Sequence, residues 1–341
     1  MNNKGIALIL VLLVIVLLMA IVFEFSFAMR VEINAAQNFK DETDCYFYAQ
    51  SGFYQAVAEI TKSHVFLDDE ETTEETSPWR EDQRKIEMGI GRGKAEVTIG
   101  GERGKYDINT VPENLLRNLI TTLGIKEEER DIIVDSIMDW KDTDNLHRIN
   151  GAEDDYYQSL PHPYHCKDGP FDVVEELLQV RGVTPSLLYG VFATNKGEEK
   201  PFWQKGLVDL VTVYTRSFQV DANTAPKEVL MSIPGMTEAD ADRIIKAREE
   251  KPLKDLKQFG DPVFTPASIK YLSLYPSTVY TIIATGSIPE SGVLRRIKGV
   301  VKINLTGRKK FQILFWVDNY PIAENFIFGG VSRERNGGEF S

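Results

Sequence analysis

The chain has 341 residues, 43% hydrophobic and 26% charged, enough for two or three compact domains of ordinary globular balance. A net charge of −12 argues against nucleic acid as a partner, because binding phosphate backbones depends on Lys and Arg releasing counterions; it suits a protein that attracts divalent cations. Two cysteines far apart, Cys45 and Cys166, exclude a disulfide framework and a zinc ribbon and read as free thiols.

Ile6 to Phe23 is an unbroken apolar run of 18 residues, long enough to cross a bilayer as a helix. Lys4 precedes it, so the positive-inside rule puts the N-terminus in the cytoplasm and the bulk outside. A secretory signal would have a shorter apolar core and a small-x-small cleavage site, and neither is present. Apolar residues then recur at helical spacing through Val31, Ile33, Ala36, Phe39, Phe47, Phe53, Val57 and Ile60. One helix is therefore predicted over 6–62, spanning the membrane over 6–29 and about 80 Å long. The leader ending in Lys4-Gly5 looks like a type IV pilin-like signal, the alternative being an uncut single-span anchor. That resemblance implies cleavage after Gly5 by a prepilin peptidase, leaving Ile6 as the N-methylated new terminus. Most such subunits carry Glu at the fifth mature position, where this chain has Leu10. A carboxylate among membrane helices is costly unless paired, and its partner in a stack would be the amine of the subunit above. A subunit with nothing above it needs none, so Leu10 hints at a cap.

Beyond the helix, "LDDEETTEET" within 64–82 reads as a solvated acidic loop. "KAEVTIGG" and "GKYDIN" alternate around glycines and read as a hairpin, closing a first sheet segment over 63–105. Strand patterns return in "LVDLVTVYTRSFQV", and again in "TVYTIIATGS", "RRIKGVVKINL" and "KKFQILFWV", which place the rest of the sheet in 276–330. The tail 331–341 is expected to be flexible. The fold class is α+β: a pilin-like long N-terminal helix packed on a small antiparallel sheet, with a large inserted α-helical domain.

The insert contains an internal repeat. "DINTVPENLLRNLITTLG" matches "VDANTAPKEVLMSIPG", and "PFDVVEELLQVRGVTPSLL" matches "PLKDLKQFGDPVFTPASI". Each "NTxP" reads as a helix start with Thr as N-cap and Pro in the first turn, and each "TP" as another. Two modules of SAM-like or helix-hairpin-helix-like type are predicted, over 106–205 and over 206–275, the latter including a linking strand. "IPGMTEADADRIIKAR" resembles a helix-hairpin-helix, which makes a membrane-anchored DNA-binding protein for uptake the rival reading. Met236-Thr237 stands where that turn usually has its second glycine, and Glu238, Asp240 and Asp242 surround the would-be phosphate site. The hairpin is read as structural, with no nucleic acid expected.

The first module carries extra length, "DWKDTDNLHRINGAEDDYYQSLPHPYHCKDG". Asp139, Asp142, Asp144, Glu153, Asp154, Asp155 and Asp168 outnumber Lys141, Arg148 and Lys167 there. The plain alternative is a solvated acidic loop. Trp140, Tyr156, Tyr157 and Tyr164 lie among the acids and favour a folded unit, in which clustered carboxylates need a hard cation. Ca²⁺ accepts six to eight oxygens in irregular loops and matches this inventory better than Mg²⁺. The spacing is not that of an EF-hand. His147, His162, His165 and Cys166 offer donors for zinc in no common zinc-module spacing, and a glycosidase-like acid pair is unmarked by any difference in setting.

"DWKDTDN", "NGAEDDYY", "LPHPY" and "FDVVEELLQVRGVTPSLLYG" resemble general secretion pathway protein K, the family of large minor pseudopilins of bacterial type II secretion systems. The resemblance implies a non-enzymatic inner-membrane subunit facing the periplasm, with calcium bound in its helical domain. It also implies a complex with the other minor pseudopilins, of the I and J types, at the tip of a filament of major pseudopilin, supporting protein export. A type IV pilus minor pilin is the nearest alternative. Carried onto this chain, the pattern makes Asp142, Asp144, Glu153 and Asp154 the leading calcium ligands, with Asp139 and Asp155 behind them. "HPYHC" departs most from it.

Overall fold

The computed structural model describes residues 3–65, 79, 81, 84–193, 202–256, 266–304 and 309–320. Most of the acidic loop expected at 64–82, and all of the tail 331–341, lie outside these.

Helix α1 (Asn3–Val65) is continuous across the expected span and extends to either side of 6–62. Its first half stands clear of the rest of the described residues: from Leu8 through Phe39 every residue is exposed. Burial begins at Asp41 and follows Cys45, Ala49, Phe53, Ala56, Val57 and Ile60, a single stripe at helical spacing. That stripe lies on a five-stranded antiparallel sheet of β1 (Ile86–Ile90), β2 (Gly93–Gly101), β9 (Val279–Ile288), β10 (Val293–Ile303) and β11 (Phe311–Val317), in that order. Val97, Ile99, Ile282, Ala284, Ile297 and Val301 form its inner face. Gly286 allows the closest approach: a Cβ there would lie 1.9 Å from the Cys45 carbonyl oxygen. At the β1–β2 turn Arg92 binds Asp41 and Asp44 of α1, and Arg295 of β10 binds Glu42. These pairs form a charged collar where the greasy half of α1 ends.

"KAEVTIGG" does form a hairpin, but with Ile86–Ile90 and not with "GKYDIN". The reason lies in the register. β2 runs on to pair Gly101 with Tyr280 of β9, so the chain leaves the sheet at Gly101 and returns beside it. Everything between is the insert. Its root is held by Glu102, buried and accepting from Lys105 Nζ at 2.7 Å, Thr281 Oγ1 at 2.7 Å and Thr212 Oγ1. Burial alone would raise that carboxyl; Lys105 and the hydroxyls outweigh it and hold it below its ordinary value.

The insert repeats in three dimensions. The first copy contains β3 (Tyr106–Asp107), α2 (Glu113–Thr122), α3 (Glu127–Lys141), α4 (Asp154–Gln158), a 3₁₀ stretch Val174–Gln179 and α5 (Pro185–Tyr189). A short hairpin follows, β4 (Val191–Ala193) with β5 (Phe202–Gln204), and β6 (Val211–Thr212) then pairs in parallel with β3. The second copy is β7 (Val220–Asp221), α6 (Lys227–Ser232), α7 (Glu238–Glu250), α8 (Pro266–Ile269) and β8 (Leu272–Ser273), with β8 parallel to β7. Matching bonds close both: Tyr106 N–H to Leu210 O and Ile108 N–H to Thr212 O, against Val220 N–H to Tyr271 O and Ala222 N–H to Ser273 O. "LVDLVTVYTRSFQV" is thus no long strand. Its first part completes the first module, which extends to Thr212, and its last residue, Val220, opens the second.

The helix starts also differ from the expectation. Pro112 and Pro226, not Thr110 and Thr224, are the N-caps, both with extended backbone. Asp107 and Asp221 instead fix the preceding turn, accepting from the Asn109 and Asn223 amides. Thr184 does cap α5, accepting from Leu187 N–H; Thr265 lies outside the described residues. One apolar core serves both copies, with Leu115, Leu116, Leu119 and Ile120 of α2 against Val229 and Leu230 of α6.

Candidate functional site

The extra loop of the first copy is held at both ends by the module itself. At its start, Lys141 Nζ donates to Ile108 O at 2.9 Å; at its end, Asn109 Nδ2 donates to Phe171 O and Phe171 N–H returns the bond to Asn109 Oδ1. Burial lowers the Lys141 ammonium to about 8. Between these anchors lies an aromatic floor: Trp140 meets Tyr157 edge-on at 5.0 Å, stacks near Phe171 at 6.5 Å, and Tyr157 meets Tyr164 at 5.3 Å. Asn150 clips the middle of the loop to Asp135 Oδ2.

The acids on this floor divide into those with partners and those without. Asp139 is fully buried and engaged by Arg148, whose Nη1 reaches Asp139 Oδ1 at 2.8 Å and Asp142 Oδ2 at 2.7 Å. Gly151 is required here, since a Cβ would fall 1.8 Å from Asp139 Oδ2. Asp154 accepts from Cys166 N–H at 2.9 Å and meets His165 Nδ1 at 3.0 Å, while Asp155 faces His147 Nε2 at 2.8 Å. Glu153 stands apart. It is 2% exposed and neither carboxylate oxygen has a partner. Asp142 Oδ1 and Asp168 Oδ1 are likewise buried and unpartnered.

Asp142 and Asp168 each bring an orphan oxygen close to Glu153, and Asp144, exposed and accepting from Leu146 N–H at 2.9 Å, lies beside Asp142 and Glu153. Asp142, Asp144 and Glu153 offer oxygens within 4.8 Å of one another, and Glu153, Cys166 and Asp168 form a second group within the same limit. Burial, then Asp139, Asp142 and Asp168, push the Glu153 carboxyl up to about 7. Burial likewise pushes the Cys166 thiol up to about 12. A buried acceptor left unmade costs about 1–3 kcal/mol, more if charged, so converging acids with orphan oxygens are a set that could hold a cation. Hard oxygen donors on an irregular loop fit a calcium-class ion.

The second helical hairpin presents a different surface. Gly235 takes φ 83° at its turn, and Thr237 and Asp240 form a reciprocal cap at the start of α7. The nearby cation, Lys227, is bonded to Glu238 at 2.9 Å and Asp242 at 2.7 Å. A phosphate approaching this turn meets carboxylates and a lysine already engaged.

Two family models match the insert in order: one for type II secretion system protein K over residues 100–190, and a second of the same description over 220–268. Each covers one of the two modules. Both modules of the insert thus match the type II secretion system protein K family. Its curated relatives include type II secretion system protein K of Pectobacterium carotovorum and a putative one of Escherichia coli K12. Both are 36% identical over 76 residues, 22% of this chain and 23% of theirs. The Aeromonas hydrophila protein K is 28% identical over 163 residues, 46% of this chain and 45% of its own. The aligned segments thus span less than half of each of these relatives. Among solved structures, a chain of the GspK-GspI-GspJ complex of enterotoxigenic Escherichia coli superposes with TM-score 0.59 at 16% identity, covering 86% of this chain and all of that one. At that identity the likeness speaks for the fold: the long helix, antiparallel sheet and helical insert.

The residues expected as ligands fall into two sets, with Asp142 in both, since its Oδ2 also pairs with Arg148. Asp142, Asp144 and Glu153 come together; Asp139, Asp154 and Asp155 are turned to Arg148, to His165 with Cys166, and to His147. Asp168, part of the same acidic inventory but not among the expected ligands, joins Glu153 and Cys166, and nothing in the spacing brings it back beside Glu153. Among the described residues, no cluster within ligand distance joins the histidines to Cys166; His162 is exposed. At the other end, Gly5 and Ile6 lie in α1, and Leu10 stands exposed on it.

Proposed function

We propose that this chain is a protein K minor pseudopilin that joins the I- and J-type minor pseudopilins and caps the tip of a filament of major pseudopilin, starting its assembly for protein export. The role is structural, not catalytic. The observation that carries the reading is the upper half of α1, where a run of large apolar side chains from Leu8 onward stays exposed among the described residues. Leaving such a run in water would cost roughly 25 cal/mol per Å² of apolar surface, so it demands a membrane first and neighbouring helices afterwards. It is the one helix among the described residues long and apolar enough to span a bilayer, and Lys4 orients it with the insert in the periplasm. The GspK-GspI-GspJ complex supplies the kind of neighbour.

Prepilin peptidase would cut after Gly5 and methylate Ile6. With Leu10 in place of the usual glutamate, the helix has no carboxylate for a subunit above, and the bulky insert covers the end of the stack. A bound Ca²⁺ would neutralise Asp142, Asp144 and Glu153 and order the loop between Lys141 and Phe171. The test is co-expression with I- and J-type subunits and gold labelling of the filament. One label per filament end, kept there by Leu10, supports the reading; labels spaced along the shaft, or Leu10→Glu leaving the position unchanged, refute it. Mass spectrometry should find Ile6 as the methylated terminus in the native chain and an intact leader in Gly5→Arg.

A further inference from the structure

We propose that β11, the strand at one edge of the five-stranded sheet, takes up a strand from a neighbouring pilin-like subunit rooted in the same membrane, one that sets an acidic residue against Lys309 or Lys310. The inference rests on the reading of this chain as a pseudopilin and names a surface by which its soluble part meets a neighbour. β11 pairs with β10 on one side, and among the described residues nothing pairs with the other. The row of backbone N–H and C=O groups on such an edge is a template for a further strand. Sheets commonly blunt their edges with charges, Pro or short strands. β1, at the opposite edge, is blunted: it has five residues, with Gly89 among them and Glu87 bonded to Lys94 at 3.2 Å. "FQILFWV" in β11 runs seven residues without a charge, a Gly or a Pro. None of the seven is buried, although β10 beside it is buried from Ile297 to Val301.

The edge is tied to α1. Asp318, just past the strand, accepts from Trp316 Nε1 at 2.6 Å and from the Tyr46 hydroxyl of α1 at 3.1 Å, and Trp316 meets Phe53 of α1 edge-on at 4.7 Å. Beside these contacts on α1, Phe47 and Tyr54 meet Tyr46 and Phe53 at 5.6 Å and are 54% and 44% exposed. A neighbour whose helix runs along α1 from the membrane reaches the β11 edge across this aromatic face. Charge and symmetry then choose the occupant. Exposed Lys309 and Lys310 precede the strand, and exposed Asp318 follows it. Opposite charges across a strand pair stabilise it and like charges destabilise it. A second copy fits neither way. Two β11 strands paired antiparallel would match Lys310 with Asp318, but the two-fold axis between them is normal to the sheet and reverses α1, so the apolar halves would leave in opposite directions. Paired parallel, they would set the lysines against their own copies. A different subunit, with its helix parallel to α1 and with Asp or Glu at the lysine end of its strand, meets both conditions.

The experiment co-expresses the full chain with I- and J-type subunits and places the photo-crosslinker p-benzoylphenylalanine at Gln312 in β11 or at Leu13 in the apolar half of α1. Gln312 should give an adduct with one of the two subunits, mapped by mass spectrometry to a strand carrying Asp or Glu, and the β11 amides should gain hydrogen-exchange protection in the complex. Lys309→Glu with Lys310→Glu should cut the Gln312 adduct about two- to fivefold, the scale of a cross-strand charge pair, with the melting temperature of the chain by itself unchanged. Leu13 adducts without a Gln312 adduct overturn the edge and leave the pseudopilin reading standing; adducts at neither position overturn both. A Gln312 adduct to a second copy, or to residues 321–341 of the same chain, overturns the inference, as does a yield that ignores the lysine reversal.

Discussion

Glu153→Gln has opposite effects with and without metal. In the metal-free chain the Glu153 carboxyl rises from its ordinary 4.5 to about 7, burial being the first cause and the neighbouring acids the second. The folded chain then holds a proton that the unfolded chain has released. Stability must therefore fall as pH climbs from about 4.5 to about 7 and level off above. At about 1.4 kcal/mol per pH unit, the loss is on the order of 3 kcal/mol. Glutamine carries no charge, so the slope disappears. At about pH 8 in chelator the variant should be the more stable by up to about 3 kcal/mol, which for a unit of this size is roughly 6–12 °C in melting temperature. With Ca²⁺ the order reverses. A ligand at a hundred times its Kd adds about 2.7 kcal/mol to the parent, and the variant lacks the shared ligand. Circular dichroism melts of the full chain in detergent, at about pH 5 and pH 8 with chelator or Ca²⁺, decide the matter. If Glu153→Gln lowers the metal-free melting temperature at pH 8, or if parent and variant rise equally with Ca²⁺, the reasoning is wrong.

Asn109→Ala and Asn223→Ala each remove a reciprocal pair of bonds, to Phe171 and to Leu253, and should each cost about 2–3 kcal/mol by denaturant unfolding; only Asn109→Ala should weaken the Ca²⁺ response. Gly286→Ala puts a methyl 1.9 Å from Cys45 O and 2.7 Å from Ala49 N, so it should cost more than about 3 kcal/mol and expose residues 41–60 of α1 to limited proteolysis.

What could be read in the sequence depended on whether one periodicity governed enough residues. The helix was legible because a single pattern runs from Ile6 to Ile60, and β9, β10 and β11 because each is a run of seven residues or more rich in β-branched and aromatic side chains. The repeat was legible because Asp-x-Asn-Thr turns have fixed chemistry. Strand pairing in "GKYDIN" and "LVDLVTVYTRSFQV" was not, because two-residue ladders such as β3–β6 carry no periodicity and are set by tertiary closure. The acidic loop was legible by its inventory, and spacing could not sort its acids. Arg148 draws Asp139 away, a reach of nine residues that depends on Gly151 leaving room.

The two modules explain why the acidic loop sits where it does. In the second, Arg248 near the end of α7 bonds Ala222 O, and Leu253 follows within a few residues to pair with Asn223. In the first, Lys141 at the end of α3 bonds Ile108 O, the matching carbonyl, and Phe171 pairs with Asn109, the matching side chain. The same two anchor points are thus bridged by a few residues in one copy and by about thirty in the other. Closing the longer loop costs only about 1–2 kcal/mol more, since the cost grows with the logarithm of length. The module can therefore carry the insertion without altering its own packing. The loop, having no helix-on-helix core of its own, is left to the aromatic floor and to whatever neutralises Glu153. Its outer turn shows how far it stands from the core, with Ile149 98% exposed and Leu146 76% exposed. A cation placed at Glu153 acts on this segment first, and the helical hairpins that root the insert in the sheet stay where their own bonds hold them.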